Sequence, residues 1–337
     1  CIVGVLKVSF FHFTYNTDYE TYIETSRLIA GENAAQVFGF RLLKPLAPLA
    51  TTLLSPIFGY EYSFYILVIV FFGLMGSASY LLYKRLLGED NSALPQDVWV
   101  PWLLFMTSYP LLRYGLDAYT ETGAWFFYIA GLISTYLFLK NPGTKNAIIN
   151  AAIFSLGFLW KEYAAINVVI FAFVLVFGMG DWKGKCKNAL ISGGIFILIQ
   201  GLYQLLVWKM FGYTYAEWLA IGAEGYGDQF TLFNISKSLF ALLMGAWIFV
   251  LPGAYWAWKK LPALRLFILF GVVSSGLFLA WGYVSSRLYF VAAPLLFFLA
   301  GYGLIKTVKN TTLRYTMLGV CVLIQVFYLF YLTDSWK

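Results

Sequence analysis

Long runs of apolar residues recur along the whole chain and are separated by mostly short polar segments. The runs are about 17–22 residues long, which is the length a helix needs to cross the hydrocarbon core of a bilayer. Hydropathy predicts about eleven membrane-spanning helices, at roughly 1–14, 62–83, 98–112, 121–139, 146–160, 163–179, 188–208, 238–258, 264–283, 288–305 and 314–332. We therefore expect an all-α, polytopic membrane helical bundle.

Only two polar segments are long, residues 15–61 and 209–237. Neither can hold a separate soluble domain, so we expect residues 1–337 to form a single transmembrane domain. In the first segment, Thr17 is placed to cap a helix that Gly31 can end. Its apolar positions, and those of the following stretch "FRLLKPLAPL", predict amphipathic helices that lie along the membrane surface.

Composition and charge place the protein in a membrane. Of its residues 61% are hydrophobic, and the mean hydropathy of +0.74 is too high for a soluble domain. Alternate loops between the predicted spans hold thirteen of the 23 basic residues but only four of the 16 acidic ones, which is typical of cytoplasmic loops. The net charge of +7 therefore reflects topology rather than nucleic-acid binding. Both long segments are then predicted to lie on the outer face of a bacterial or archaeal plasma membrane.

Several kinds of site are excluded by the sequence. There is no P-loop, no Rossmann glycine pattern and no H-E-x-x-H motif. His12 is the single histidine and lies within a predicted span, which excludes histidine-based triads and metal sites. The three cysteines show neither paired nor metal-ligand spacing. The chain begins at Cys1, so we expect a preceding piece to be missing; a lipid-modified mature cysteine is a further interpretation.

Polar residues gather at the predicted outer ends of the spans. Asp18 follows the first span, where it either caps a helix or does chemistry. Arg113, Asp117 and Glu121 have four-residue spacing, so on one helix they would share a face, as an interfacial salt-bridge ladder or as a site. Lys161-Glu162 joins two spans with almost no loop, which requires that these charges reach water or face a polar cavity.

Two later stretches add candidates. Arg287 stands at the outer start of the tenth predicted span, as an interfacial anchor or as a residue that grips a phosphate in bidentate fashion. The stretch "GAEGYGDQ" in the second long segment is flexible enough for a substrate lid, although the aromatic residues around it also fit an interfacial belt.

The arrangement resembles the GT-C superfamily of polytopic glycosyltransferases, which includes protein mannosyltransferases and lipid A aminoarabinose transferases. The similar features are an acid after span one, an R-x-x-x-P-L-x-P stretch, an acid-bearing segment before span four, a G-x-x-x-K-E turn and an R-x-Y-x-x-x-x-P stretch. The residues concerned are Asp18, Arg41, Pro45, Leu46, Pro48, Asp117, Glu121, Gly157, Lys161, Glu162, Arg287, Tyr289 and Pro294. The first long segment departs from the protein mannosyltransferases in lacking an adjacent Asp-Glu pair. Unlike in oligosaccharyltransferases, we expect no C-terminal soluble domain.

The resemblance implies transfer of a sugar, with inversion, from a polyprenyl-phosphate donor to an acceptor on the outer face. Asp18 would be the base. Residues expected to bind substrate are Arg41, Lys44, Asp117, Glu121, Lys161, Glu162, Arg287 and Tyr289, with the cations on the phosphate and the acids on acceptor or sugar hydroxyls. We expect no obligatory cofactor or metal, because there is no D-x-D-type pair. The expected partners are the donor lipid, a glycan, lipid or protein acceptor, and further subunits of a membrane complex.

Three alternatives stay open. One is a non-catalytic membrane subunit or a transporter of lipid-linked sugars, although no internal repeat of the transporter kind is visible. Another is an O-antigen ligase or polymerase, although the segment 209–237 lacks the arginines and histidines usual there. The last is a degenerate member of the superfamily that serves as a scaffold.

Overall fold

The structure, a computed structural model, describes residues 17–33, 39–117, 119–178, 181–226, 231–277 and 285–334. The α-helices within these ranges are α1 (Thr17–Ile29), α2 (Leu46–Phe58), α3 (Tyr60–Leu87), α4 (Trp99–Met106), α5 (Tyr109–Tyr114), α6 (Glu121–Lys140), α7 (Thr144–Trp160), α8 (Ala165–Phe177), α9 (Trp182–Phe211), α10 (Tyr215–Tyr226), α11 (Leu232–Leu243), α12 (Trp247–Lys260), α13 (Arg265–Ser275), α14 (Ser286–Tyr289), α15 (Ala293–Thr307) and α16 (Thr311–Asp334). Single 3₁₀ turns lie at Gly39–Leu43, Pro95–Val98, Glu162–Ala164, Met244–Ala246, Pro262–Leu264 and Phe290–Ala292. The described residues confirm the all-α prediction.

Six described segments are long and apolar enough to cross a membrane. They are Tyr60–Leu87, Glu121–Lys140, Trp182–Phe211, Leu232–Lys260, Ser286–Thr307 and Thr311–Phe330. Shorter apolar helices lie at Leu46–Phe58, Ala165–Phe177 and Pro262–Ser275. The predicted first span and His12 lie outside the described residues. The chain is thus a multi-pass membrane protein by the length and composition of its helices.

The chain divides into two compact units, of which the first contains Cys1–Met75, Tyr114–Val168 and Met179–Glu224. In this unit α7 packs against both α6 and α9, and α1 packs on α2. Polar groups join α7 to α9, because the Gln200 amide donates to the Ser155 carbonyl at 2.9 Å. Such a bond between spans satisfies groups that lipid cannot.

The second unit contains Gly76–Arg113, Val169–Gly178 and Gly225–Lys337. Its helices α12 and α15 pack so closely that their backbones touch. A Cβ atom on Gly253 would lie 1.8 Å from the Leu299 carbonyl oxygen, and one on Gly303 would lie 2.1 Å from the Phe249 carbonyl oxygen. Glycine at both crossing points is therefore required for this packing, as is common between membrane helices.

Two buried ion pairs close one end of the second unit; we call them the Asp90–Arg314 cluster (Asp90, Asp97, Lys306 and Arg314). Lys306 pairs with Asp90, and Arg314 Nη1 lies 2.8 Å from Asp97 Oδ1. Asp90 also accepts from the Tyr302 hydroxyl at 2.7 Å, and Asp97 Oδ2 accepts from the Leu94 amide at 2.9 Å. The cluster therefore ties the segment after α3 to α15 and α16.

The two long segments predicted as outer loops contain helices. The first holds α1 and α2, and the second holds α10 and the start of α11. The prediction that Gly31 ends α1 is confirmed, since Gly31 has a φ of +80° and follows the last helical turn. Part of "GAEGYGDQ", including Asp228, lies outside the described residues.

The prediction that Arg113, Asp117 and Glu121 share one helix face is wrong. Helix α5 ends at Tyr114 and α6 begins at Glu121, with bends between them. Gly115 follows the last residue of α5, and glycine favours a break there because it gains most from leaving the helix. The four-residue spacing therefore reflects two helices and a connection.

Candidate functional site

The short segment Gly39–Leu43 carries one predicted cation, Arg41, and a second, Lys44, follows it directly. Two side chains of α9 donate to its backbone carbonyls: the Tyr203 hydroxyl to Leu42 at 2.6 Å and the Gln204 amide to Leu43 at 3.3 Å. Gly39 lies against the ring of Tyr213, where a Cβ atom would come within 1.9 Å of ring carbons. The local fold thus fixes Arg41 and the following Lys44 in place.

Lys44 is buried and paired with an acid from a distant part of the sequence. Its Nζ lies 2.5 Å from Glu162 Oε2, and the two side chains are 2% and 16% exposed. The same ammonium lies 5.0 Å from the centre of the Trp218 ring on α10, within the range of a cation–π contact. Burial acts to raise the pKa of Glu162, but the positive charges of Lys44 and Lys161 outweigh it and hold the pKa below its ordinary value.

Lys161 forms a second buried pair beside the first. It follows the last residue of α7 in extended backbone, and its Nζ donates to Glu121 Oε1 at 2.6 Å. Glu121, in the first turn of α6, is fully buried. Of the two interpretations of Lys161 open at the sequence level, this excludes snorkelling to water. We call Lys44, Glu121, Lys161 and Glu162 the Lys44–Glu162 cluster.

Trp160 joins the end of α7 to the start of α6. Its indole Nε1 donates to the Thr120 carbonyl at 2.9 Å. Gly123 leaves room for the ring, since a Cβ atom there would lie 2.2 Å from it. Trp160 and Thr120 also line a small pocket with Ala47, Phe64, Leu67, Val68, Tyr119 and Thr122. It has room for about one water molecule, so it is too small for a small-molecule ligand.

Arg41 binds helix α1, and Tyr22 of that helix binds Thr120, the residue that precedes α6. Arg41 Nε donates to Thr21 Oγ1 at 3.0 Å, and its guanidinium carbon lies 4.5 Å from the centre of the Tyr22 ring. The Tyr22 hydroxyl accepts from Arg41 Nη1 at 3.4 Å and from Thr120 Oγ1 at 3.3 Å. Helix α1 is therefore docked by buried polar contacts and does not merely rest on a membrane surface.

The predicted base, Asp18, is the second residue of α1, and its side chain lies outside the described residues. It precedes Tyr22 by four residues, so both belong to one face of the helix. Tyr22 is docked against Arg41 and Thr120. The backbone of α1 thus presents residue 18 one turn before this docked position.

The other predicted residues divide between the two units. Asp117 is buried in the connection before α6, in the first unit. Arg287 and Tyr289 lie on α14 in the second unit, where Ser285 caps the helix by accepting from the Arg287 amide at 3.2 Å. Arg287 is partly exposed and Tyr289 is buried.

Sequence reasoning missed four residues in or around the site: Tyr22, Thr120, Trp160 and Trp218. The position of Tyr22, four residues after Asp18, was the one available signal. The role of Trp218 had none, because it lies far along the chain from Lys44 and an aromatic belt explains its residue type equally well.

The chemistry of the site is that of an anion-binding surface. Arg41, Lys44 and Lys161 bring three positive charges, whereas Glu121 and Glu162 bring two negative ones. Buried cations of this kind can bind an anionic group such as a phosphate.

Comparisons with known proteins bear on the fold. The chain is similar to the crystal structure of ArnT from Cupriavidus metallidurans bound to undecaprenyl phosphate, with a TM-score of 0.67 and 15% sequence identity. The likeness covers 93% of this chain and 60% of that one, so the chain spans about 60% of the length of that protein. No family model and no curated protein matches the sequence. The fold of this chain is therefore similar to that of ArnT.

Proposed function

We propose that this protein is an integral-membrane glycosyltransferase that takes a sugar from a polyprenyl-phosphate donor and attaches it to an acceptor hydroxyl. The observation that carries the proposal is the set of buried cations, Arg41, Lys44 and Lys161, in a fold similar to that of a protein crystallised with undecaprenyl phosphate. A lipid phosphate needs such cations near the membrane boundary, where water cannot fully neutralise its charge.

The reaction assigns a task to each group. Asp18 takes the proton of the acceptor hydroxyl, whose oxygen forms a bond to the anomeric carbon with inversion. The bond from that carbon to the phosphate oxygen breaks, and its electron pair leaves with the polyprenyl phosphate. Arg41, Lys44 and Lys161 stabilise the negative charge that develops on the leaving phosphate.

The acids have supporting tasks in this proposal. Glu121 holds Lys161 through their 2.6 Å contact, and Asp117 orients a sugar or acceptor hydroxyl. Arg287 and Tyr289, on one short helix of the second unit, keep the donor-binding role that the sequence resemblance implies for them. The site faces the outer side of a bacterial or archaeal plasma membrane and needs no metal, and the complete bundle has about eleven spans, as hydropathy predicts.

The test is sugar transfer in proteoliposomes supplied with a mixture of radiolabelled polyprenyl-phosphate sugars. Wild type is compared with Asp18→Asn and with Glu20→Gln, a matched control at an exposed position of the same helix. We expect Asp18→Asn to reduce transfer by about 10²–10⁴-fold, the usual contribution of a positioned base. We expect Glu20→Gln and a metal chelator to leave the rate unchanged.

The outcomes separate the candidates. Transfer that survives in Asp18→Asn keeps the enzyme and moves the base to Asp117. If wild type transfers no sugar and binds no donor, the enzyme proposal is wrong. The chain is then a non-catalytic subunit or a transporter.

A further inference from the structure

We propose that Glu162 is an internal competitor of the lipid phosphate for Lys44. In this proposal its carboxylate occupies Lys44 in the empty protein, moves away when a phosphate binds, and returns to help expel the product lipid phosphate. The inference rests on the proposed function, because it assumes that Lys44 binds the phosphate.

The first step of the argument is the match between the two anions. A carboxylate oxygen and a phosphate oxygen accept the same kind of charge-assisted hydrogen bond from an ammonium group. Glu162 Oε2 lies 2.5 Å from Lys44 Nζ and so occupies the position at the ammonium that a bound phosphate oxygen would also take. Because Lys44 is almost fully buried, a phosphate that reaches it encounters the Glu162 carboxylate at the same ammonium.

The second step is a difference between the two pairs of the cluster. Glu121 is fully buried and belongs to the first turn of α6, a helix of 20 residues. Glu162 is 16% exposed and belongs to the single 3₁₀ turn Glu162–Ala164 between two helices. A partly exposed side chain on a short turn can move at lower cost than one sealed within a helix, although the Glu162 Oε2 atom itself is buried against Lys44. Glu162 is therefore the exchangeable partner and Glu121 the fixed one.

The third step is that neither Lys44 nor Glu162 loses all compensation when they separate. The Trp218 ring stays 5.0 Å from Lys44 Nζ, and Lys161 acts on Glu162 as a second positive charge. The cost of leaving a charge unpaired in a buried place is thereby reduced.

The consequence concerns release of the product. Breaking the bond to the sugar converts a phosphodiester into a phosphate monoester, which carries more negative charge at neutral pH. Three cations without a competing acid would hold the monoester more tightly than the donor. A carboxylate that reclaims Lys44 weakens this hold and returns the site to its empty state.

The experiment measures the Kd of undecaprenyl phosphate in nanodiscs, together with kcat and KM for transfer. We expect Glu162→Gln to bind undecaprenyl phosphate about tenfold or more tightly than wild type, with a lower KM and a lower kcat. In a Lys44→Met background, Glu162→Gln should no longer tighten binding, because the ammonium for which carboxylate and phosphate compete is absent. Glu20→Gln is the control for substitution of an acid elsewhere in the unit.

A merely structural Glu162 would give the opposite result, since breaking a buried pair disorders the site and weakens binding. Binding that is unchanged or weaker in folded Glu162→Gln overturns the inference while leaving the proposed function intact. If Glu162→Gln does not fold, Glu162→Asp decides, because its shorter side chain keeps the charge but retreats from Lys44: tighter binding supports the inference and unchanged binding overturns it. Failure of wild type to bind undecaprenyl phosphate at all overturns both proposals.

Discussion

The Lys44–Glu162 cluster and the Asp90–Arg314 cluster each contain two buried acid–base pairs, yet their surroundings differ. In the Asp90–Arg314 cluster the acids accept further bonds from Tyr302, Ser92 and the Leu94 amide, and all four charged side chains are 11% exposed or less. In the Lys44–Glu162 cluster, Glu162 lies on a short turn, is more exposed and responds to two lysines.

This difference teaches that burial of an ion pair alone does not indicate a site. A network whose acids are fixed by several donors stabilises the fold. Moving any member would leave its partners buried without a compensating charge. A pair with one movable acid can exchange its partner for a ligand. We therefore assign a structural role to the Asp90–Arg314 cluster and the ligand-binding role to the Lys44–Glu162 cluster.

The largest effect on stability is expected from removing a cation of the structural cluster. Lys306→Met leaves Asp90 buried without its ammonium partner, which should lower the free energy of unfolding by about 3–5 kcal/mol. Thermal unfolding in detergent, followed by tryptophan fluorescence, measures the change. Transfer per folded molecule should stay at the wild-type rate; a specific loss of transfer would show that the role of the cluster is not merely structural.

A smaller effect is expected from two glycines, one near each cluster. Gly39→Ala pushes the Tyr213 ring and shifts the segment that carries Arg41 and Lys44, whereas Gly253→Ala forces α12 away from α15. Overpacking of this kind costs about 1–3 kcal/mol. Gly253→Ala should mainly lower the unfolding temperature, and Gly39→Ala should mainly lower transfer. Equal loss of transfer in both variants would contradict the assignment.

A modest effect is expected from Tyr22→Phe. The substitution keeps the ring under Arg41 but removes the hydroxyl that accepts from Arg41 and Thr120. Loss of these bonds should cost about 1 kcal/mol and lower transfer by no more than about tenfold. Initial rates at saturating donor measure it. A rate equal to that of wild type would mean that the hydroxyl does not position α1.

The smallest effect is expected from lowering the pH, which should change stability only well below neutral pH. Burial acts to raise the pKa of Asp90, but bonds from Lys306, Tyr302 and Ser92 outweigh it and hold the pKa well below its ordinary value of 3.8. A lowered pKa in the folded state contributes stability above the ordinary value and loses it as the pH falls below that value. The unfolding temperature should thus be level above pH 5 and fall by several degrees below pH 4.

The acid limb can be assigned to one cluster by substitution. Asp90→Asn should flatten the fall below pH 4 more than Glu162→Gln. Three hydrogen-bonding side chains lower the pKa of Asp90, whereas one lowers that of Glu162. If Glu162→Gln flattened the fall more than Asp90→Asn, the structural role would belong to the Lys44–Glu162 cluster instead.

The sequence allowed part of this account to be predicted. Apolar runs predicted the helical bundle, and Gly31 predicted the end of α1, because both depend on neighbouring residues. The "KE" turn was a candidate because two charges so near hydrocarbon demand partners. Which partners they have could not be predicted. Glu121 is 40 residues from Lys161, and Lys44 is 118 residues from Glu162. The helix break after Tyr114 was missed because the four-residue spacing of Arg113, Asp117 and Glu121 was given more weight than the helix-breaking Gly115.

The central claim is that the Lys44–Glu162 cluster binds a lipid phosphate during sugar transfer, and its most direct test compares two buried lysines, Lys44 and Lys306. Transfer from polyprenyl-phosphate sugars is measured in proteoliposomes for wild type, Lys44→Met and Lys306→Met at matched amounts of folded protein. The account predicts that Lys44→Met lowers the rate by about 10²–10³-fold, the usual loss for one group that stabilises a developing charge. Lys306→Met should retain the wild-type rate. Full transfer by Lys44→Met, or an equal loss in both variants, would contradict the account.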